Sequence, residues 1–210
     1  MRLHDGGDRP VPPIAGVVLA AGASRRFGSQ KLLAPLDGKH LVRWAVERMV
    51  SAPTSSTLVV VGGHDADAVR AALAGLTVRF VVAEESGGDA HAGREMSASL
   101  HAAVRALSAE PPRAAVFALG DQPRVPASAI AGVVHAFRAS GAPIVVPVYR
   151  GGVRGHPVLF AANLFPELLH VRGDEGARSV IARDRSRVTE VRIDEDAPRD
   201  VDEPGDLESL

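Results

Sequence analysis

The chain of 210 residues contains no cysteine, which excludes disulfide bonds, cysteine-ligated zinc, iron–sulfur clusters and thiol nucleophiles. The formal net charge is -1 at pH 7, so no bulk positive field favours a nucleic-acid backbone. Aromatic residues make up only 4% of the chain, too few for the stacking platforms that bind single-stranded nucleic acid. We therefore expect no nucleic-acid partner, and the lack of cysteine suits a reducing, cytoplasmic location.

Long apolar runs are also missing. The longest, residues 15–23, is far shorter than the roughly 20 residues that a membrane-spanning helix requires. Residues 1–13 carry charges, glycine and three prolines but no apolar segment, which predicts a flexible tail rather than a signal peptide. We expect no membrane association, and we expect residues 14–210 to form a single domain.

Short β-branched runs alternate with segments of helical periodicity. The predicted strands are 14–20, 58–61, 78–83, 114–119 and 143–148, and the predicted helices are 41–50, 65–73, 97–107 and 127–139. After residue 150 the rhythm changes, with strands expected at 158–160 and 188–193 and a helix at 175–183. This alternation predicts a Rossmann-like three-layer α/β/α domain with a mostly parallel central sheet. In such sheets ligands bind beyond the carboxyl ends of the strands.

The first predicted strand leads into a loop of small and basic residues, LAAGASRRFGSQK, at positions 19–31. Small residues let backbone N–H groups approach an anion closely, and Ser24 adds a hydroxyl donor. Arg26 and Lys31 add full charges, and the chain contains only one other lysine, Lys39. The loop therefore predicts a polyphosphate cradle, with a surface turn carrying incidental charges as the alternative. Its spacing matches neither a Walker A loop nor GxGxxG.

Acidic residues follow two later segments. Asp121 comes directly after the fourth apolar run, where a carboxylate would face the ligand crevice and could hold the Mg²⁺ that a triphosphate requires. Alternatively, it opens a turn before Pro123. The stretch DVDEPGDL at positions 200–207 offers Asp200 and Asp202 as further metal ligands, or places Asp202 at a helix N-cap. The sequence leaves the choice between these two aspartates open, with a slight preference for Asp200.

The pattern LAAGxSxRxGxxK resembles the loop of the MobA-like nucleotidyltransferases. Ala20-Ala21-Gly22 is more similar to the molybdopterin cytidylyltransferases than to the guanylyltransferases, which usually have AGG. The resemblance covers roughly residues 14–208 and implies a nucleotide-diphospho-sugar transferase-like fold. It also implies Mg²⁺-dependent transfer of CMP from CTP to the phosphate of a molybdopterin or molybdenum-cofactor acceptor, with release of pyrophosphate. A molybdenum hydroxylase would then be a partner.

The resemblance assigns roles to individual residues. The residues implied to bind the nucleotide are Leu19, Ala20, Ala21, Gly22, Ala23, Ser24, Arg26, Lys31, Ser97 and Gly120. Arg26, Lys31 and Asp121 are implied to be catalytic, and Asp121 with Asp200 or Asp202 to bind the metal. The residues implied to contact the acceptor are His156, Asp174 and Arg178.

Structural roles remain open for His156 as a hydrogen-bonding residue and for Asp174 and Ser97 as helix N-caps. One departure from the family pattern is the pair Arg94-Glu95, inserted before Met96. The alternatives are a guanylyl- or sugar-phosphate nucleotidyltransferase, or a carrier that binds nucleotide or pterin without catalysis.

Overall fold

The computed structural model describes residues 13–22, 27, 30–62, 65–83, 96–173 and 176–210. The strands are β1 (Ile14–Ala20), β2 (Pro35–Leu36), β3 (Lys39–His40), β4 (Ser56–Gly62), β5 (Arg79–Ala83), β6 (Ala114–Leu119), β7 (Ile144–Val148), β8 (Val158–Ala161) and β9 (Val188–Arg192). The α-helices are α1 (Leu41–Val50), α2 (Ala66–Ala72), α3 (Met96–Ser108), α4 (Ala127–Ser140), α5 (Phe165–Leu168) and α6 (Arg178–Arg183). Over the described part of the chain, no helix has both the length and the apolar character needed to cross a membrane.

Seven strands form one sheet in the order β5-β4-β1-β6-β8-β7-β9. β1 pairs in parallel with β4 and with β6, β4 with β5, and β7 with β9. β8 runs antiparallel to both of its neighbours. The central strands are apolar along their length because both faces of the sheet are covered. The prediction of a mostly parallel sheet is confirmed.

Helices cover both faces because successive residues of a strand point to opposite sides of the sheet. Val18 of β1 packs in one buried cluster with residues of α1, α2 and α4, whereas its neighbour Val17 packs in a second cluster with residues of α3, α5 and α6. Burying a side chain of this kind contributes roughly 1.5–3 kcal/mol. The three-layer α/β/α architecture is therefore confirmed.

The predicted elements lie within a few residues of the observed ones. Among the strands and α-helices of the described residues, two small elements were not predicted. The first is the antiparallel β2–β3 hairpin, and the second is the single helical turn of α5. Asp65 occupies the N-cap position of α2, but its side chain makes no capping bond and instead accepts a hydrogen bond of 2.7 Å from Gln30.

Candidate active site

The Lys31 ammonium lies between two carboxylates that come from distant parts of the chain. Its Nζ donates to Asp121 Oδ2 at 2.8 Å and to Asp202 Oδ1 at 3.3 Å. Lys31 begins a 3-10 turn that follows the β1 loop, and Asp121 stands one residue beyond Gly120 at the end of β6. Because β1 and β6 are adjacent parallel strands, their carboxyl ends bring these residues together.

Gly120 permits this close approach. Its N–H donates to the Leu19 carbonyl at 2.9 Å, and a Cβ at this position would lie 3.1 Å from the Cβ of Ala20. A larger residue would push the β6 end, and with it Asp121, away from the β1 loop. The structure therefore gives Gly120 a packing role, while its predicted nucleotide contact stays a prediction.

Charge and burial oppose each other in this cluster. Burial by itself lowers the pKa of Lys31, but the carboxylates of Asp121 and Asp202 outweigh that effect and raise it above its ordinary value. Burial also raises the pKa of Asp121, and the Lys31 ammonium partly offsets this. The Lys31 side chain is only 10% exposed, compared with 55% for Asp202. The cluster thus consists of the largely buried Lys31 ammonium and two carboxylates, of which that of Asp202 is exposed to solvent.

The C-terminal segment docks alongside Asp121. The N–H of Val201 donates to the Asp121 carbonyl at 3.1 Å, and Val201 itself is fully buried. Asp200 Oδ1 accepts a hydrogen bond of 2.7 Å from Gln122 Nε2. The prediction that Asp202 is a helix N-cap is wrong, because the final 3-10 turn is capped by Glu203 together with Asp206.

A cavity of about 640 Å³ adjoins this segment. Most of its wall is apolar, from the ends of β6, β7 and β8 and from α3 and α6. Its polar lining includes Gln122, Arg154, His156, Arg178 and Asp200. Two residues predicted to contact the acceptor, His156 and Arg178, thus face the same space as Asp200. The third, Asp174, lies outside the described residues.

Another wall of the cavity depends on a glycine. Gly176 has a φ of +57°, which disfavours side chains, and a Cβ built there would lie 2.7 Å from the sulfur of Met96. The absence of a side chain therefore lets the start of α3 pack against the segment that precedes α6. Ser97, in the first turn of α3, is buried, and its nucleotide contact stays a prediction.

His156 is held as a neutral imidazole. Burial lowers its pKa to about 4, with nearby Arg178 adding to the shift and Asp200 opposing it. The Tyr149 hydroxyl donates to the His156 carbonyl, and Tyr149 is itself buried. Sequence reasoning missed Tyr149 and Gln122 as site residues. Tyr149 is the only tyrosine in the chain, and its position just past a predicted strand could have drawn attention to it.

The lowered pKa of His156 predicts an acid-sensitive contribution to stability. Between pH 6.5 and about 4, the unfolded chain binds a proton at His156 that the folded chain does not. The contribution of neutral His156 to the free energy of unfolding is therefore fully present above pH 6.5. It is lost as the pH falls through this window, by up to about 1.4 kcal/mol per pH unit. In urea unfolding at pH 7.5, 6 and 5, we expect the stability difference between wild type and His156→Asn to decrease. His135→Asn, at an exposed histidine, serves as the control. If the free energies of unfolding of wild type and His156→Asn differ by the same amount at every pH, the prediction is refuted.

The oxygen donors near Asp121 suit a hard divalent cation. Asp121 and Asp200 supply carboxylates, and between them Gln122 Oε1 is buried without a hydrogen-bond partner among the described residues. Over the same residues, no three histidine, aspartate or glutamate side chains form a metal cluster. A cation would therefore complete its shell with water and substrate oxygens, as Mg²⁺ usually does.

The β1 loop is described only in part. Leu19 lines the cavity, Ala20 and Ala21 are buried, and Gly22 is exposed. Ala23, Ser24 and Arg26 lie outside the described residues. The structure thus brings Lys31, Asp121, Asp200 and Asp202 together and leaves the rest of the proposed phosphate cradle a prediction.

The mostly parallel sheet of this α/β/α domain carries paired charges at its carboxyl edge beside a cavity, which is where open α/β sheets bind their ligands. Residues 16–188 match the family described as MobA-like NTP transferase domain, and the chain belongs to that family. Its predicted fold and family are thereby confirmed.

Solved structures resemble the whole domain. The crystal structure of the Mycobacterium tuberculosis Rv0371c homologue from Mycobacterium sp. strain JC1 is 34% identical, with a TM-score of 0.81 and 93% of each chain covered. Rv0371c from M. tuberculosis in complex with manganese is 31% identical, with a TM-score of 0.76 over 94% of this chain and all of that one.

Curated relatives match a shorter stretch. The bifunctional protein GlmU from Geobacter metallireducens is 35% identical over 136 residues, which is 63% of this chain. The match spans only about a quarter, 27%, of that relative's length.

Proposed function

We propose that the protein is a divalent-metal-dependent nucleotidyltransferase that transfers CMP from CTP to the phosphate of a molybdopterin-type acceptor. The observation that carries this proposal is the position of the Lys31–Asp121–Asp202 cluster beside a cavity lined by His156 and Arg178. A charged site for a phosphate chain and a separate space for a second substrate are what the transfer of a nucleotidyl group requires.

The proposed reaction is an in-line displacement at phosphorus. An oxygen of the acceptor phosphate forms a bond to the α-phosphorus of CTP, and the bond from that phosphorus to the pyrophosphate oxygen breaks. Such a transfer needs positioning and charge stabilisation more than a protein nucleophile. Lys31, Arg26 and backbone N–H groups of residues 21–24 would stabilise the negative charge on the departing pyrophosphate.

Asp121 and Asp200 would hold the metal ion. Mg²⁺ or Mn²⁺ bound there would neutralise charge on the α-phosphate, and the likeness to a manganese complex of Rv0371c supports a divalent ion. The acceptor phosphate is already a competent nucleophile, so no strong base is needed, which agrees with the lowered pKa that makes the His156 imidazole a weak base.

The lining of the cavity offers an acceptor both apolar wall and hydrogen-bonding groups. Phe117 and Phe160 meet edge to face with ring centroids 6.0 Å apart and lie at the base of the wall, almost fully buried. Neutral His156 can both donate and accept a hydrogen bond, and Arg178 can bind the acceptor phosphate.

A sugar-phosphate acceptor is the second candidate function. The curated relatives compared above include GlmU proteins, and this architecture serves several acceptors. A cytoplasmic location and delivery of the product to a molybdenum hydroxylase remain part of the first proposal.

One assay separates these functions. Pyrophosphate release is measured with CTP, GTP, UTP and ATP, each with molybdopterin, its molybdenum form, a sugar 1-phosphate or no acceptor, in Mg²⁺ and in Mn²⁺. We expect acceptor-dependent release with molybdopterin and a preference for CTP over GTP of at least about tenfold, roughly 1.4 kcal/mol. Release with the sugar phosphate alone would support the second candidate, and binding of CTP without any release would indicate a carrier.

A further inference from the structure

The two aspartates of the DVD segment make different contacts although they are only two residues apart. Asp200 accepts from Gln122 and lines the cavity. Asp202 instead accepts from Lys31 and is absent from the cavity lining. Val201 between them is fully buried and bonded to the Asp121 carbonyl, so the backbone of the segment is anchored next to Asp121 while the two carboxylates bind different partners.

The position of Asp202 is held by the turn that follows it. Asp206 Oδ2 accepts from the N–H groups of both Asp202 and Glu203 at 2.8 Å. Glu203 and Asp206 form a reciprocal capping box at the start of the 3-10 turn Pro204–Ser209. The negative charge of Asp202 is therefore presented to Lys31 by an ordered backbone, even though its own side chain is 55% exposed.

We propose that Asp202 is a positioning residue for Lys31, whereas Asp200 serves the cation and the acceptor cavity. This inference rests on the proposed nucleotidyltransferase function. A lysine ammonium sits on a flexible four-carbon stem, and the nearer of its two carboxylate partners, Asp121 at 2.8 Å, is also the carboxylate that a cation needs. The second partner, Asp202, holds the ammonium beside Asp121, where it can turn towards a phosphate chain while Asp121 binds the cation.

The test is a double-mutant cycle on CTP binding. The dissociation constant of CTP is measured by calorimetry in saturating Mn²⁺ without acceptor, for wild type, Asp202→Asn, Lys31→Met and the double variant. We expect Asp202→Asn to weaken CTP binding by about 10- to 20-fold, the lower end of the scale of a lost hydrogen bond to a charged group, because the Asp202 side chain is 55% exposed. In the Lys31→Met background the same change should have an effect of less than about twofold, because there is no ammonium left to position.

Two further variants define the role. Asp202→Glu keeps the charge and should restore most of the CTP affinity. Asp196→Asn removes a carboxylate of the same kind that is ion-paired with Arg150 on the surface, and it should bind CTP like wild type. The Mn²⁺ concentration at half-maximal turnover should rise in Asp200→Asn but stay within about twofold in Asp202→Asn.

Three results would overturn the assignment. The first is that Asp202→Asn binds CTP as tightly as wild type. The second is that Asp202→Asn weakens CTP binding by the same factor with and without Lys31. The third is that the Mn²⁺ requirement rises as much in Asp202→Asn as in Asp200→Asn. If wild-type protein binds no nucleoside triphosphate, the proposed function fails together with this inference. If wild type binds CTP and Asp202→Asn binds it equally well, only the role of Asp202 fails.

Discussion

Lys31→Met is expected to lower turnover by about 10²- to 10³-fold, whereas Lys39→Met should leave it within about twofold. Lys31 places its ammonium 2.8 Å from Asp121 at the carboxyl edge of the sheet. Lys39 is paired with Glu47 and lies 4.4 Å from the centre of the Trp44 ring, in the β2–β3 hairpin. Removing one preorganised hydrogen-bond donor from a developing anion costs about 2.7–4 kcal/mol in other enzymes, and an ammonium is at least as strong a donor. Steady-state pyrophosphate release measures both variants.

The two lysines form a matched pair because they are the only ones in the chain. Lys31→Met leaves Asp121 and Asp202 without their shared cation, so thermal unfolding must be recorded for each variant. Lys31→Arg retains the charge and serves as a second variant, with activity expected between wild type and Lys31→Met. Turnover of folded Lys31→Met within about threefold of wild type would contradict a role for Lys31 in catalysis.

The strands could be predicted because the central sheet is covered on both faces. β1 and β6 are uninterrupted apolar runs, and their nearly complete burial explains why no polar residue breaks them. The antiparallel direction of β8 was not predictable, because the sequence of a four-residue strand does not indicate whether it pairs parallel or antiparallel to its neighbours. The two-residue strands of the hairpin depend on tertiary contacts such as the bond from Trp44 Nε1 to the Leu36 carbonyl, at 2.9 Å.

The site was predictable in its residue types but not in its contacts. Lys31 and Asp121 are 90 residues apart, and the sequence could associate them only through strand ends that meet at one edge. The direct contact between Lys31 and Asp121 could not be predicted, because it depends on the positions of the two side chains in space. Gln122 escaped notice because glutamine is usually exposed, whereas here it is 6% exposed and bonded to Asp200.

The division between Asp200 and Asp202 likewise needed the structure. In an extended segment, the side chains of alternate residues point to the same side of the backbone. The sequence DVD by itself therefore gives both carboxylates equal access to the site. Only their hydrogen-bond partners distinguish the two: Gln122 donates to Asp200, and Lys31 donates to Asp202.

Asp121→Asn is expected to lower turnover by at least about 10²-fold while the protein remains folded. The amide keeps the shape of the side chain, and its oxygen can still accept from Lys31. It removes the charge that would bind the cation, and metal assistance supplies several kcal/mol of transition-state stabilisation at about 1.4 kcal/mol per tenfold. Burial raises the pKa of Asp121, so the ionised carboxylate is costly to keep in this position.

Two measurements on Asp121→Asn separate chemistry from folding. Turnover is titrated with Mn²⁺, where we expect a higher metal requirement as well as a lower maximum, because one of the few protein ligands has lost its charge. Thermal unfolding is followed in parallel, with Asp196→Asn as a control that removes the same charge from an exposed site. A folded Asp121→Asn with full turnover and an unchanged metal requirement would show that Asp121 holds no metal. The contact between Lys31 and Asp121 would then be structural, and the cation would have to be bound by Asp200 and the substrate phosphates alone.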